Sequence, residues 1–144
     1  MSWPQRLSEQ VVLLALSLLV GLLAGLSSAA FLLTLEWATA TRLSHPALLF
    51  GLPVAGLAIG LVYHYGGGRA AEGNNLIIDE IHDPQAWVPR RMAPMIFVGT
   101  VMTQLFGGSA GREGAAIQMS GSLTDWASRT LRISPAHRRI LLVA

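Results

Sequence analysis

The sequence predicts an all-α membrane protein, and three observations carry that prediction. Hydrophobic residues make up 52% of the 144 residues, charged residues make up only 12%, and the mean hydropathy is +0.50. A soluble domain has about 25% charged residues, so this chain has too few charges to cover a soluble surface. Long uncharged segments also recur along the chain, with glycines spaced through them.

The uncharged segments have the lengths of membrane helices. A crossing helix needs about 20 apolar residues, and the first segment carries no charge between Glu9 and Glu36. Residues 74–82 are too few to cross, and Pro84 disfavours helix in the residue before it. No soluble domain is expected. The expected helices cover residues 10–40, 46–65, 74–82, 89–106, 113–128 and 135–144.

The arginines predict how the chain is oriented. All ten basic residues are Arg. With a cytoplasmic N-terminus, only Arg42 and Arg112 lie outside or within the membrane, which is the bias of cytoplasmic loops toward positive charge. The other arginines flank apolar segments, so no nucleic-acid partner is expected. This topology makes the glycine-rich turn before Glu113 re-entrant, and such a turn needs protein or water to satisfy its backbone.

Two short sequences place glycine and polar residues where a helix begins. They are Gly73-Asn74-Asn75 and Gly111-Arg112-Glu113-Gly114. Helix N-termini attract anions through free N–H groups and the helix dipole, and transporters bring such ends together around a substrate. Asn74 and Asn75 are also ordinary N-cap residues, and the sequence leaves open which of them would face an anion.

An ionisable Glu113 between two uncharged segments needs an explanation. A carboxylate in the first turn of a surface helix stabilises it by about 0.3–1 kcal/mol. Within a membrane the expected reason is an ion or proton pathway, which we favour here. Arg112 is expected to act as a partner of Glu113 or as a structural ligand of loop carbonyls.

The turn carries a family resemblance. Gly111-Arg112-Glu113-Gly114, preceded by Gly107-Gly108-Ser109-Ala110 and followed by Gln118, resembles the signature of the CLC family of chloride channels and anion/proton antiporters. The order of elements from Val11 onward also resembles that family's first repeat. The resemblance implies a CLC-type bundle of transmembrane and re-entrant helices, the first part of an inverted-repeat fold. Because the last segment stops at Ala144 without a cap, we expect the chain to be truncated there.

The resemblance also implies the function and its residues. Glu113 matches the gating glutamate, which in antiporters accepts the proton. The implied partners are chloride or fluoride, a proton, the lipid bilayer of the cell membrane and, in the full-length protein, a second copy of the chain. No cofactor, metal or enzymatic activity is implied, and the fragment alone is not expected to transport. The implied anion-binding residues are Gly73, Asn74, Asn75, Gly111, Arg112, Gly114 and Ala115.

Two departures from the family pattern leave the ion open. Ala115 stands where the family usually has proline. Glu72-Gly73-Asn74-Asn75 stands where the family usually has Gly-Ser-Gly-Ile-Pro, whose serine coordinates chloride. Asn without Ser or Thr resembles the bacterial fluoride-exporting branch, so a fluoride/proton antiporter is an alternative to a chloride channel or antiporter.

Two alternatives from other classes also remain. Carboxylates and imidazole are competent metal ligands, and both occur in Asp79-Glu80-Ile81-His82-Asp83. One alternative is therefore a membrane-embedded enzyme that uses a metal with Glu113, or with Asp79, Glu80 and His82. Their position at the end of a short helix favours a solvated or interhelical polar turn instead. A non-transporting membrane scaffold is the other alternative.

Overall fold

The computed structural model describes residues 3–82 and 87–143, and these residues form helices and connecting loops, with no strand among them. The all-α fold class is therefore confirmed for the described part, while Asp83 and Pro84 lie outside it. A 3₁₀ helix, Pro46–Gly51, leads into the second α-helix, and two further short helical turns, Tyr63–Gly67 and Gly68–Glu72, lead into the third. The α-helices are α1 (Trp3–Ser44), α2 (Leu52–Val62), α3 (Asn74–His82), α4 (Met92–Leu105), α5 (Arg112–Thr130) and α6 (Pro135–Val143).

Two helical stretches are long and apolar enough to cross a bilayer. The most apolar 18-residue segment has a mean hydropathy of 2.4 within Gln10–Ser44 and of 1.9 within Pro46–His82. α1 has 42 residues, which gives it a length of about 63 Å, well beyond a hydrocarbon core of about 30 Å. Its exposed surface is rich in leucine. In water this would be a large unpartnered apolar patch, but lipid is a suitable solvent for it.

One stripe of α1 faces the other helices. Phe31, Leu35 and Ala38 are buried at helical spacing, as expected of a helix with one protein-facing side. Phe31 packs against Phe97 of α4, with ring centroids 5.9 Å apart. The same core contains Leu76, Met92, Ile96, Ala115 and Met119. α1 thus packs along α4 and α5.

The glycine-rich turn between α4 and α5 is held by its own protein contacts. Gly107 has φ +86°, its N–H donates to the Gln104 carbonyl at 3.1 Å, and the Gly108 N–H donates to the Thr103 carbonyl at 2.8 Å. This is the Schellman pattern that ends a helix at a left-handed glycine. The Gln104 side chain also donates to the Ala110 carbonyl at 3.4 Å. The turn therefore has internal partners for these backbone groups, which a re-entrant position requires.

α5 runs antiparallel to α4 and parallel to α3. Ser122, well along α5, donates to the carbonyl of Pro89 at the start of α4, at 3.2 Å. Along α3, Ile77 lies against Gly121, where an added Cβ would meet the Ile77 Cδ1 at 2.9 Å. Both α3 and α5 are thus close packed, and their N-termini point the same way.

Gly121 sets the distance between α3 and α5, so we expect Gly121→Ala to destabilise the protein. Overpacking of a tight core costs about 1–3 kcal/mol. Ile77→Val removes the Cδ1 that lies nearest, so the double variant should recover part of the loss. Thermal unfolding of the complete protein in detergent measures both effects.

Gly25→Ala is the matched control for this experiment, because nothing lies within 4 Å of a Cβ at Gly25. Equal destabilisation by Gly25→Ala and Gly121→Ala would contradict the close contact. A double variant whose loss of stability equals the sum of the two single losses would also contradict the contact, since residues in contact are expected to couple.

Candidate functional site

The N-terminal turns of α3 and α5 lie side by side. The Nδ2 of Asn74, the first residue of α3, is 3.1 Å from the position that a Cβ would take on Gly114 in α5. Gly73, with φ +64°, lies against Gln118, whose Nε2 is 3.7 Å from the corresponding Cβ position. The structure thus brings together the two helix starts that the sequence singled out. Of the two asparagines, it places the Asn74 side chain against α5.

Both turns present free backbone donors at the same end of the pair. The first four N–H groups of an α-helix have no partner within the helix. In α5 the Ala115 N–H already donates to the Gly111 carbonyl at 3.3 Å, which leaves the N–H groups of Arg112, Glu113 and Gly114. Two parallel helices also add their positive dipole ends at this place. Neutral donors and a positive potential therefore coincide between Asn74 and Gly114.

Ala115 has a structural role that its neighbours do not share. It is buried among the core residues, and its N–H makes the first hydrogen bond of α5. A proline at this position would lack that N–H. Alanine therefore ties the start of α5 more firmly to Gly111 than the residue usual in the resembling family would.

Glu113 lies exposed in the first turn of α5. The salt bridges within residues 3–82 and 87–143 do not include Glu113. Arg112 instead lines a shallow cavity with Glu36, Thr39, Ala40 and Leu43 of α1. Arg112 is thus associated with the α1 side of α5, and both Arg112 and Glu113 are exposed.

Gln118 is the residue behind this junction. Its Oε1 is buried and has no hydrogen-bond partner within the described part of the chain. It stands nearly two turns into α5 and one turn after Gly114, next to Gly73. The amide groups of Asn74 and Gln118 therefore flank the place where the two helices begin.

A buried charge cluster lies at the opposite end of α3. Glu80 is 1% exposed and Asp125 is fully buried. The Arg138 Nη2 lies 3.2 Å from the Glu80 Oε2, and the Arg138 Nε donates to the Asp125 Oδ1. The Arg69 Nη2 donates to the Glu80 Oε1 at 3.1 Å, and the second Asp125 oxygen accepts the Val88 N–H at 2.6 Å.

Trp87 covers this cluster. The guanidinium carbons of Arg129 and Arg138 lie 4.9 Å and 4.7 Å from the centre of its ring, both within cation–π range. Neither Trp87 nor Asp125 is among the functional residues expected from the sequence. The available signal was a carboxylate within a helix of small and apolar residues, since a buried charge needs a partner.

The acidic residues at the end of α3 separate into different environments. Glu80 is inside the cluster with two arginines, whereas Asp79 and His82 are exposed. The His82 Nδ1 is 2.9 Å from the Ile78 carbonyl of its own helix, and Asp83 lies outside the described residues. Within residues 3–82 and 87–143, no group of three His, Asp or Glu side chains is arranged to hold a metal ion.

The fold and the site define a class: a helical membrane protein in which the N-terminal turns of two parallel helices lie side by side. A model of the voltage gated chloride channel family matches residues 54–144. The chain belongs to that family. It is also 54% identical over 131 residues to a chloride/fluoride channel protein of Pseudomonas syringae pv. tomato, an alignment that covers 91% of this chain and 29% of that protein.

Family membership together with the two long apolar helices makes this a membrane protein. The chain spans less than a third of the length of the relative that it matches. The sequence-based assignment to the CLC family and to an all-α membrane fold is confirmed.

The approach of Asn74 to Gly114 predicts a cross-link in the complete protein. The chain contains no Cys, so Asn74→Cys with Gly114→Cys introduces an isolated pair within it. The Asn74 Cγ, which marks the approximate place of a cysteine sulfur, is 4.0 Å from the Cβ position at Gly114, so a small adjustment of the two helix starts brings the sulfurs into bonding range. We expect oxidation to link the two residues, detected by mass spectrometry of the digested protein.

Asn75→Cys with Gly114→Cys is the matched control, because successive helical residues point in directions about 100° apart. A pair at Asn75 that links as fast as the pair at Asn74 would contradict the arrangement described here. The same conclusion would follow if neither pair linked in folded protein.

Proposed function

We propose that the complete protein transports an anion across the membrane by a CLC-type mechanism, with the anion held between the N-termini of α3 and α5. The observation that carries this proposal is the approach of Asn74 to Gly114. It gives one small volume the free N–H groups of two helices and a side-chain amide donor. Anion binding at helix N-termini needs just these groups. Residues 1–144 then form the N-terminal part of a CLC-type transmembrane domain.

The residues of the proposed anion site come from both helices. Gly73, Asn74 and Asn75 supply the start of α3, and Gly111, Arg112, Gly114 and Ala115 form the start of α5. Asn74 contributes its side-chain amide, whereas the glycines allow the ion to approach the backbone. Ala115 holds the turn, since its N–H is bonded within the helix. Arg112 holds the turn from the side that faces α1.

Glu113 is the proposed gate. Its carboxylate sits in the first turn of α5, where the same donors and dipole that attract an external anion also attract the side chain. The carboxylate and the anion therefore compete. Protonation removes the charge of Glu113 and frees the place for the anion. Its exposure allows it to exchange a proton with water, so one residue can couple proton and anion movement.

Fluoride is the ion that we propose for this site, with chloride as the alternative. An amide at Asn74 replaces the hydroxyl usual in chloride-type members, and it extends a donor toward Gly114. Fluoride is small and strongly hydrated, so a compact set of N–H donors suits it. The related protein in Pseudomonas syringae pv. tomato carries both ions in its name.

The remaining features of the proposal concern assembly. We propose a multi-pass protein of the cell membrane with a cytoplasmic N-terminus, because the arginines concentrate on one side, and a homodimer in the full-length protein. A metal-dependent enzyme is disfavoured because Glu80 is held by Arg69 and Arg138. A non-transporting membrane scaffold would differ from the proposed transporter in one measurable property, the flux of anions across the membrane.

Neutralising Glu113 should separate the proton from the anion. In liposomes containing the complete protein, we expect Glu113→Gln to abolish the pH dependence of anion flux while flux itself persists, because a neutral side chain no longer competes or carries a proton. Anion efflux and proton uptake are measured together with ion-selective electrodes.

Asp79→Asn is the control for that experiment, since it removes an exposed carboxylate at the other end of α3. It should leave both fluxes at the wild-type level. Unchanged proton coupling in Glu113→Gln would remove Glu113 from the gate, and absence of flux from the wild type would favour the scaffold.

Replacing the amide at Asn74 should alter the choice of ion. Asn74→Ser shortens the side chain and withdraws the donor from Gly114, so we expect the ratio of fluoride to chloride flux to fall by about tenfold, a change of about 1.4 kcal/mol, comparable with the loss of one hydrogen bond to a charged group. Ser120→Ala, which removes a hydroxyl bonded to the Ile117 carbonyl of its own helix, is the control. An unaltered ratio in Asn74→Ser would exclude the Asn74 amide as a selectivity determinant.

A further inference from the structure

The buried cluster of Glu80, Arg138 and Asp125 connects three helices. Glu80 belongs to α3, Asp125 to α5 and Arg138 to α6, and all three residues are nearly inaccessible. Two carboxylates share one guanidinium, which gives each contact a fixed direction. Arg69 holds the second oxygen of Glu80, and Val88 holds the second oxygen of Asp125. The orientations of both carboxylates are therefore determined by partners on each side.

Stability alone is a weak reason for such an arrangement. Buried ion pairs are often no more stabilising than apolar residues of similar volume, whereas the removal of one partner costs about 3–5 kcal/mol. What ion pairs add is a fixed orientation of the charged groups relative to one another. Apolar burial has no preferred direction, whereas hydrogen bonds to a shared guanidinium do.

The contacts between α3 and α5 occur in the same order along both helices. Asn74 meets Gly114, Ile77 meets Gly121, and Glu80 is joined to Asp125 through Arg138. α3 has nine residues, so it behaves as one rigid rod, and Glu80 lies about 9 Å along its axis from Asn74. Any axial movement of Glu80 is therefore transmitted to Asn74.

We propose that Glu80, Arg138 and Asp125 form a register clamp, which fixes α3 along α5 and thereby holds the Asn74 amide beside Gly114. These three are positioning residues, because they act on the anion through Asn74. The effect on anion affinity rests on the proposed function. The effect on the position of Asn74 does not depend on it.

The cross-link between Asn74→Cys and Gly114→Cys provides the first test. Adding Glu80→Gln to that pair in the complete protein keeps the size of the side chain but removes its charge. We expect the rate of cross-linking to fall severalfold because α3 is no longer held in register. Asp79→Asn in the same background changes an exposed carboxylate of α3 and should leave the rate unchanged. An equal rate in Glu80→Gln and wild-type backgrounds would overturn the proposal.

A second variant guards against loss of folding. Glu80→Asp keeps the charge, so Arg138 is not deprived of its partner, but the carboxylate is one methylene shorter. It can reach Arg138 only if α3 moves. We expect slower cross-linking here too, with near-normal expression and unfolding temperature. Cross-linking at the wild-type rate in folded Glu80→Asp protein would show that the cluster does not set the register.

Fluoride binding to the complete protein without added cysteines provides the other measurement. We expect Glu80→Gln to weaken binding severalfold, with Asp79→Asn unchanged. Weaker binding combined with an unchanged cross-linking rate would overturn the clamp. If the wild type binds neither fluoride nor chloride while Glu80→Gln still slows cross-linking, the clamp stands and the proposed function fails. The two ideas are thus tested separately.

Discussion

The parallel packing of α3 on α5 is the constraint on which the rest of the structure depends. Two parallel helices with adjacent N-termini place like partial charges side by side, which is unfavourable without compensation. The negative ends receive that compensation. The Arg139 Nε donates to the Ile81 carbonyl at 3.0 Å, and Arg69 and Arg138 pair with Glu80 in the last turn of α3. The positive ends, near Asn74 and Glu113, are where we propose that an anion or the Glu113 carboxylate binds.

Glycine makes this packing possible at two positions along α5. Gly114 leaves room for the Asn74 amide, and Gly121 accepts the side chain of Ile77. Larger residues at either position would separate the helices and increase the distance between the two sets of N–H groups. The glycine at 73 has a separate reason, since its φ of +64° turns the chain sharply into α3. The close packing at Gly114 and Gly121 and the sharp turn at Gly73 together explain how the nine-residue α3 takes a defined position in the structure.

Sequence reasoning located the two helix starts because their signals are local. Glycine next to polar residues, followed by an apolar run, identifies Asn74 and Glu113 without any tertiary information. The buried charge cluster, by contrast, depends on contacts between positions that are far apart in the sequence. Glu80 and Arg138 are 58 residues apart, and no periodicity links them, so Glu80 was interpreted as part of a polar turn. Asp125 was overlooked because a single carboxylate in a helix is uninformative until its partner is known.

The two departures from the family pattern fall at one place in the structure, and this favours a common reason for them. Ala115 supplies an N–H that bonds to Gly111, which stiffens the first turn of α5 beside Gly114. Asn74 then extends its amide toward that same residue. A longer donor on one helix improves binding only if the facing turn stays fixed. A mobile turn would let the amide and the anion adopt several arrangements instead of one. Preorganisation of this kind lowers the cost of binding. Under the proposed function it would favour the smaller ion, whose dehydration must be offset by a few short, well-directed hydrogen bonds.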